Sequence, residues 1–315
     1  MSRFTRLSTL SLVAMLGAAP LAAETVKITL LGVGDVYNFQ DEDGRGGFAR
    51  LNAVAKAERA ANPNTLYLFN GDMLSPSLAS GFDKGQNTVD FTNLVPFDLA
   101  VPGNHEFDFG PDLFMERMKG SKYPWAAINI TKDDGSPIEG LGGVMVKELA
   151  GLKIALIPVA QDTSPEVSST GSLKFLPTVD SAIAAAKDAR DQGADLVVGV
   201  VQTNMDNDRA LIASHAFDVI LSGDDHSYAT AYDGVTAYVE TSVDAQLLSP
   251  IDLTVEVTEK DGKRTVKWTP AFRFIDTATV EPDPESQALA DKLTADLDAA
   301  LNVEIGTLEA PLDSR

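Results

Sequence analysis

The chain has 315 residues, 44% of them apolar, enough for one large domain or two small ones with a real core. It has no cysteine, which excludes disulfides and thiolate metal sites. Its net charge of −21 argues against attraction to nucleic acid and leaves bound cations as the natural counter-charge for an anionic substrate.

Residues 1–23 read as a secretory signal. Arg3 and Arg6 are followed by a largely apolar run from Leu7 to Leu16 and small residues from Ala18 to Ala23, with a cut expected after Ala23. The run is too short to span a bilayer comfortably, so the mature chain is expected in the periplasm or secreted, off the membrane.

From Val26 onward, strand-like and helix-like stretches alternate. "VKITLLGV" (26–33) reads as a buried strand, and residues 46–63 as a helix stopped by Asn62-Pro63. "TLYLFNGD" (65–72) and "FDLAVPGNHE" (97–106) are expected strands, and 110–120 a helix with Pro at its start and Gly at its end. Residues 142–160 read as two strands joined around Ala150-Gly151, and 178–194 as an alanine-rich helix. "DLVVGVVQ" and "FDVILSGDDH" are expected strands around a helix at 206–217. "AYVETS" and the two long runs over 249–276 read as antiparallel strands with a hairpin turn at Asp261-Gly262. Residues 284–302 read as a final helix. The pattern predicts an α/β fold, sheets with helices packed outside.

Ligands in such folds collect where strands end. Here the strand ends offer Asp35 and Tyr37, then Asp72, then Asn104, His105, Glu106 and Asp108, then Gln202, then Asp224, Asp225 and His226. Any one Gly-Asp after a strand is usually a turn or a cap. Five such segments in succession point to a shared site rich in oxygen donors.

The order of motifs resembles the calcineurin-like metallophosphoesterases, and within them the secreted 5′-nucleotidases. The family pattern runs Asp-x-His, Gly-Asp, Gly-Asn-His-Glu, a strand-ending His, then Gly-His-x-His. Here it runs Asp35-Val36-Tyr37, Gly71-Asp72, Gly103-Asn104-His105-Glu106, Gln202, then Gly223-Asp224-Asp225-His226. The resemblance implies a two-sheet sandwich with a strand-end metal site over residues 24–280. Residues 281–315 would be a helical linker and the opening of a second, nucleotidase-type domain.

It further implies two divalent cations, about 3.5–4 Å apart, that clamp a phosphoryl group and sharpen a water as nucleophile. Asp72 would bridge them. Asp35, Tyr37 and His226 would hold the first; Asn104, Gln202 and Asp224 would hold the second, with Asn204 as a competitor for Gln202. His105, oriented by Asp108, would serve the leaving oxygen. The implied substrate is a small phosphate ester such as a nucleotide.

Of the four metal-ligand places where the family keeps histidine, only His226 remains; Tyr37, Gln202 and Asp224 fill the others. Oxygen replaces nitrogen, so the expected metals shift from zinc toward manganese, magnesium or calcium, with ferric iron as the alternative at a phenolate Tyr37. The alternative is a catalytically impaired relative that binds a metal or a partner. His215, late in a helix, reads as a structural or C-terminal charge partner, and Trp125 and Trp268 as core or sheet residues.

Overall fold

The computed structural model describes residues 24–260, 263–304 and 306. The expected signal segment, the Asp261-Gly262 turn, and residues 305 and 307–315 lie outside the described residues. Two sheets form the body. One has seven strands, in the order Lys263–Phe272, Ile251–Lys260, Glu24–Val33, Thr65–Phe69, Leu99–Ala100, Trp125–Ala126 and Leu141–Gly142. The other has six, in the order Ala229–Tyr232, Ala237–Glu240, Val219–Ser222, Leu196–Val201, Leu152–Val159 and Met145–Leu149.

Period-two alternation distributes the strand side chains. Ile28, Leu30, Leu66 and Leu68 of the first sheet meet Leu156, Leu196, Val198 and Leu221 of the second in an apolar layer. Each such fully buried side chain contributes roughly 1.5–3 kcal/mol. Tyr67 and Phe69, on the other face, pack on Phe48, Leu51 and Phe91 of the helices Gly47–Ala61 and Gln86–Thr92. Val197 and Val201 pack on Ala182, Ala186 and Leu211 of Thr178–Asp191 and Met205–Ser214. The result has the outer helices that the pattern predicts and the two-sheet sandwich that the resemblance implies.

Two expectations change. "FDLAVPGNHE" pairs only at Leu99–Ala100, because Pro102 has no N–H and the chain turns into a 3-10 helix at Asn104–Phe107. Ala237–Glu240 runs parallel, not antiparallel, to Val219–Ser222, because the intervening strand Ala229–Tyr232 carries the chain back. The last helix, Pro284–Leu301, packs on Gly47–Ala61. Asp283 caps it and pairs with Lys56, and Asn52 Nδ2 donates to Ser286 Oγ at 2.9 Å. Trp125 is core; Trp268 is half-buried on its strand.

Candidate functional site

The ends of parallel strands from both sheets are stitched together by hydrogen bonds. Gln202, wholly buried after Leu196–Val201, donates through Nε2 to Asp72 Oδ2 at 2.7 Å and to Asp35 Oδ1 at 3.3 Å. Asp224 donates its backbone N–H to the Asp35 oxygens at 3.1 and 3.2 Å. The Tyr37 hydroxyl reaches Asp35 Oδ1 at 3.4 Å and lies 2.9 Å from His226 Nε2. On the far side of Asp72, the His105 N–H donates to Oδ1 at 2.8 Å. His105 Nδ1 stands 2.7 Å from Asp108 Oδ2. Half-buried Asn104 opens the same turn.

The backbone is bent to make this approach. Asp35, Asp72, Asp224 and His226 have φ of 57°, 68°, 99° and 57°, in the left-handed region that costs on the order of 1 kcal/mol or more for non-glycine residues. Gly223 has no room for a side chain, since a Cβ would lie 2.6 Å from Gln202 Oε1 and 2.8 Å from Asp35 Oδ2.

Burial sets the electrostatics. It pushes Asp35 up to about 7 and Asp72 well above its ordinary value, and neighbouring carboxylates add to both shifts. Burial, then the charges of Asp72 and Asp35, raises Tyr37, which stays a neutral phenol. Burial lowers His226 and favours its neutral, ligand-competent form. For Asp108, burial acts upward, but hydrogen bonds from His105, Ser75 and Ser168 prevail and lower it. His105 is raised: burial acts downward, and its bond and charge interaction with Asp108 outweigh that.

These contacts bring Asp35, Tyr37, Asp72, His105, Asp108, Gln202 and His226 together, with Asn104 in the His105 turn and Asp224 joined through its backbone. Gln202, not Asn204, stands at the carboxylates; Asn204 caps Met205–Ser214 by accepting from the Asn207 N–H at 3.1 Å. Burial, with the charge of Asp225, raises the Asp224 carboxyl to about 6, and nearby Gln161 acts against the rise.

Sequence reasoning placed Glu106 among the strand-end ligand groups without its anchoring role, and it missed Asp244 altogether. Buried Glu106 accepts from the N–H groups of Asp72, Met73, Leu74 and Gly103 at 2.9, 2.8, 3.3 and 2.6 Å, fixing two strand-end loops to each other. Its only signal was its place in "GNHEFD". Asp244 accepts from the N–H groups of Tyr37 and Asn38 at 2.8 and 2.9 Å, and no sequence signal marked it. Separately, carboxylate oxygens of Asp208, Asp225 and Glu240 lie within 4.8 Å of one another. Ser222, Tyr238 and Ser227 already donate to the two buried members, Asp208 and Glu240.

The fold and the strand-end site define a metallophosphoesterase-type sandwich. Residues 28–228 match the family described as calcineurin-like phosphoesterase, and the chain belongs to that family of hydrolases, whose chemistry implies divalent metals. It is 28% identical over 225 residues to an apyrase from Tabanus yao, covering 70% of this chain and 39% of the relative. It is also 28% identical over 187 residues to a probable 5′-nucleotidase from Treponema pallidum, covering 58% of this chain and 31% of the relative. The crystal structure of a 5′-nucleotidase precursor from Thermus thermophilus superposes with a TM-score of 0.72 at 17% identity, covering 88% of this chain and 60% of that one. The chain spans 39% and 31% of the length of these two curated relatives.

Proposed function

We propose that this chain is a metal-dependent phosphoric monoester hydrolase of the 5′-nucleotidase type, acting on nucleotides or related phosphate esters in the periplasm or outside the cell. One observation carries the reading. Gln202 Oε1 is buried and accepts no hydrogen bond, and the same amide touches two buried carboxylates. An orphaned acceptor beside carboxylates that burial makes hard to ionise is a set of groups that fits a hard cation.

In this reading Asp35, Tyr37 and His226 would hold one ion and Asn104, Gln202 and Asp224 another, with Asp72 available to both. The all-oxygen second set favours manganese, magnesium or calcium over zinc. Bound there, the ions would neutralise phosphoryl charge and make water more acidic. The chain's own residues do the rest. Glu106 holds the Asp72 loop against the His105 turn. Asp108, ionised, accepts from Nδ1–H of His105, which leaves Nε2 to give a proton to the departing oxygen. Export is supported by the signal-like residues 1–23 and by similarity to a precursor nucleotidase.

A second reading, an impaired relative, draws on the same glutamine. Its Nε2 already satisfies both carboxylates, as an internal substitute for a cation would. Metal analysis and turnover of a nucleoside monophosphate and an aryl phosphate, with manganese and with chelator, decide between them. We expect manganese-dependent hydrolysis, lowered about a thousandfold by Asp72→Asn. Equal rates in both conditions, or none in either, would overturn the hydrolase reading.

A further inference from the structure

We propose that Ser75 and Ser168 form a hydroxyl clamp that positions the Asp108–His105 pair for proton donation to the leaving group. The inference rests on the reading of His105 as the leaving-group acid. Ser75 and Ser168 would be positioning residues, acting through Asp108 rather than on substrate.

Three donors converge on the Asp108 carboxylate. His105 Nδ1 and the Ser75 hydroxyl share Oδ2, and the Ser168 hydroxyl reaches Oδ1 at 2.8 Å. The donors come from separate parts of the chain. Ser75 is buried and lies three residues beyond Asp72 on the same loop. Ser168 is the C-cap of the short helix Ser164–Val167, which packs on the Asn104–Phe107 turn.

The clamp answers a physical need. The Asp108 and His105 side chains keep 27% and 28% of their surface exposed, so packing alone does not hold them. An aspartate carboxyl turns easily about its terminal torsion. Bonding both of its oxygens from two directions removes that freedom and aims the surviving lone pair at Nδ1. On its other side, the imidazole meets the Tyr37 ring edge-on, with centroids 5.3 Å apart and planes at 83°. The histidine is thus held by an acceptor on one side and an aromatic ring on another.

The step it serves balances simply. A water oxygen forms the new P–O bond, and the ester P–O bond breaks with its electron pair going to the leaving oxygen. Nε2 gives that oxygen a proton, and the attacking water releases one to solvent, from which the histidine is recharged. Such help matters most when the leaving oxygen is a poor leaving group.

The test uses the whole chain with manganese and two esters, 4-nitrophenyl phosphate and a nucleoside 5′-monophosphate. Ser75→Ala and Ser168→Ala should each lower kcat about tenfold or more on the alkyl ester and about threefold or less on the aryl ester, with KM little changed. Ser168→Thr, which keeps the hydroxyl, should restore the alkyl-ester rate. Equal losses on both esters, no loss on either, or no rescue by threonine would overturn the clamp while wild-type turnover upholds the hydrolase reading. A wild-type chain that hydrolyses neither ester overturns both.

Discussion

Asp208 shows how one buried carboxyl ties stability to pH. It is fully buried and accepts from the Ser222 and Tyr238 hydroxyls at 2.9 and 2.8 Å. Burial pushes it up to about 8 from an ordinary 3.8, despite those two bonds, and the charges of Glu240 and Asp225 push the same way. The folded state therefore holds a proton that the unfolded chain gives up from about pH 4. The stability this group contributes is complete below that point and falls as pH rises toward 8, at up to about 1.4 kcal/mol per unit. This group's share of the loss in wild-type protein should reach about 4 kcal/mol between pH 5 and 8 in urea titrations. Asp208→Asn keeps an acceptor without the ionisation and should flatten that loss; equal slopes in the two proteins would refute the assignment. Single residues were unevenly legible in the sequence. Asp35, Asp72, Asn104, His105, Gln202, Asp224 and His226 announce themselves because each follows an apolar run. Asp244, Ser75 and Ser168 do not, and Glu106 shows its place but not its anchoring role, since their work is to bond segments distant in sequence; Ser168, for one, reaches Asp108 across 60 residues.

Among elements, the informative feature is where strands end. The long buried strands and outer helices show plainly as apolar runs and helical periodicity. Less legible were the short helices Leu78–Asp83 and Gln86–Thr92, which begin at a Ser77 capping box and at Gly85 rather than on a long amphipathic pattern. The two-residue strand Leu99–Ala100 was over-read, because an apolar run does not reveal that Pro102 and Gly103 leave the sheet. That departure has a use: at Gly103 the chain passes so close to Asp72 that a Cβ would lie 2.1 Å from Oδ1. The φ there, −96°, is ordinary, so the demand is for space and not for a left-handed backbone. Gly103→Ala should destabilise by about 1–3 kcal/mol through overpacking and should also displace the Asp72 carboxylate. Gly143, where a Cβ meets nothing within 4 Å, supplies the control; its alanine variant should melt within about 0.5 kcal/mol of wild type. A Gly103→Ala melt indistinguishable from that control would show that the loop yields freely.

At the scale of the whole molecule, the charge balance and the site make one argument. The chain carries net charge −21, yet among the described residues the lysine and arginine ion pairs lie elsewhere, at Arg273–Glu58, Arg264–Asp195 and Arg45–Asp276, for example. Asp35, Asp72 and Glu106 are buried together, and burial raises all three. A bound cation would favour their ionised forms and link the strand ends of the two sheets, so it should stabilise the fold by mass action. At a concentration one hundred times its Kd, the gain is about 2.7 kcal/mol, or a rise of about 5 °C in Tm for a domain of this size. Manganese, magnesium, calcium and zinc should be titrated at constant ionic strength, because simple screening also relieves repulsion in so acidic a chain. Specific binding and screening then separate through Asp72→Asn, which should keep the response to sodium chloride and lose most of the response to the divalent ion. No rise in Tm with any of the four ions, or the same rise in wild type and Asp72→Asn, would mean that the strand-end carboxylates hold their places without a metal.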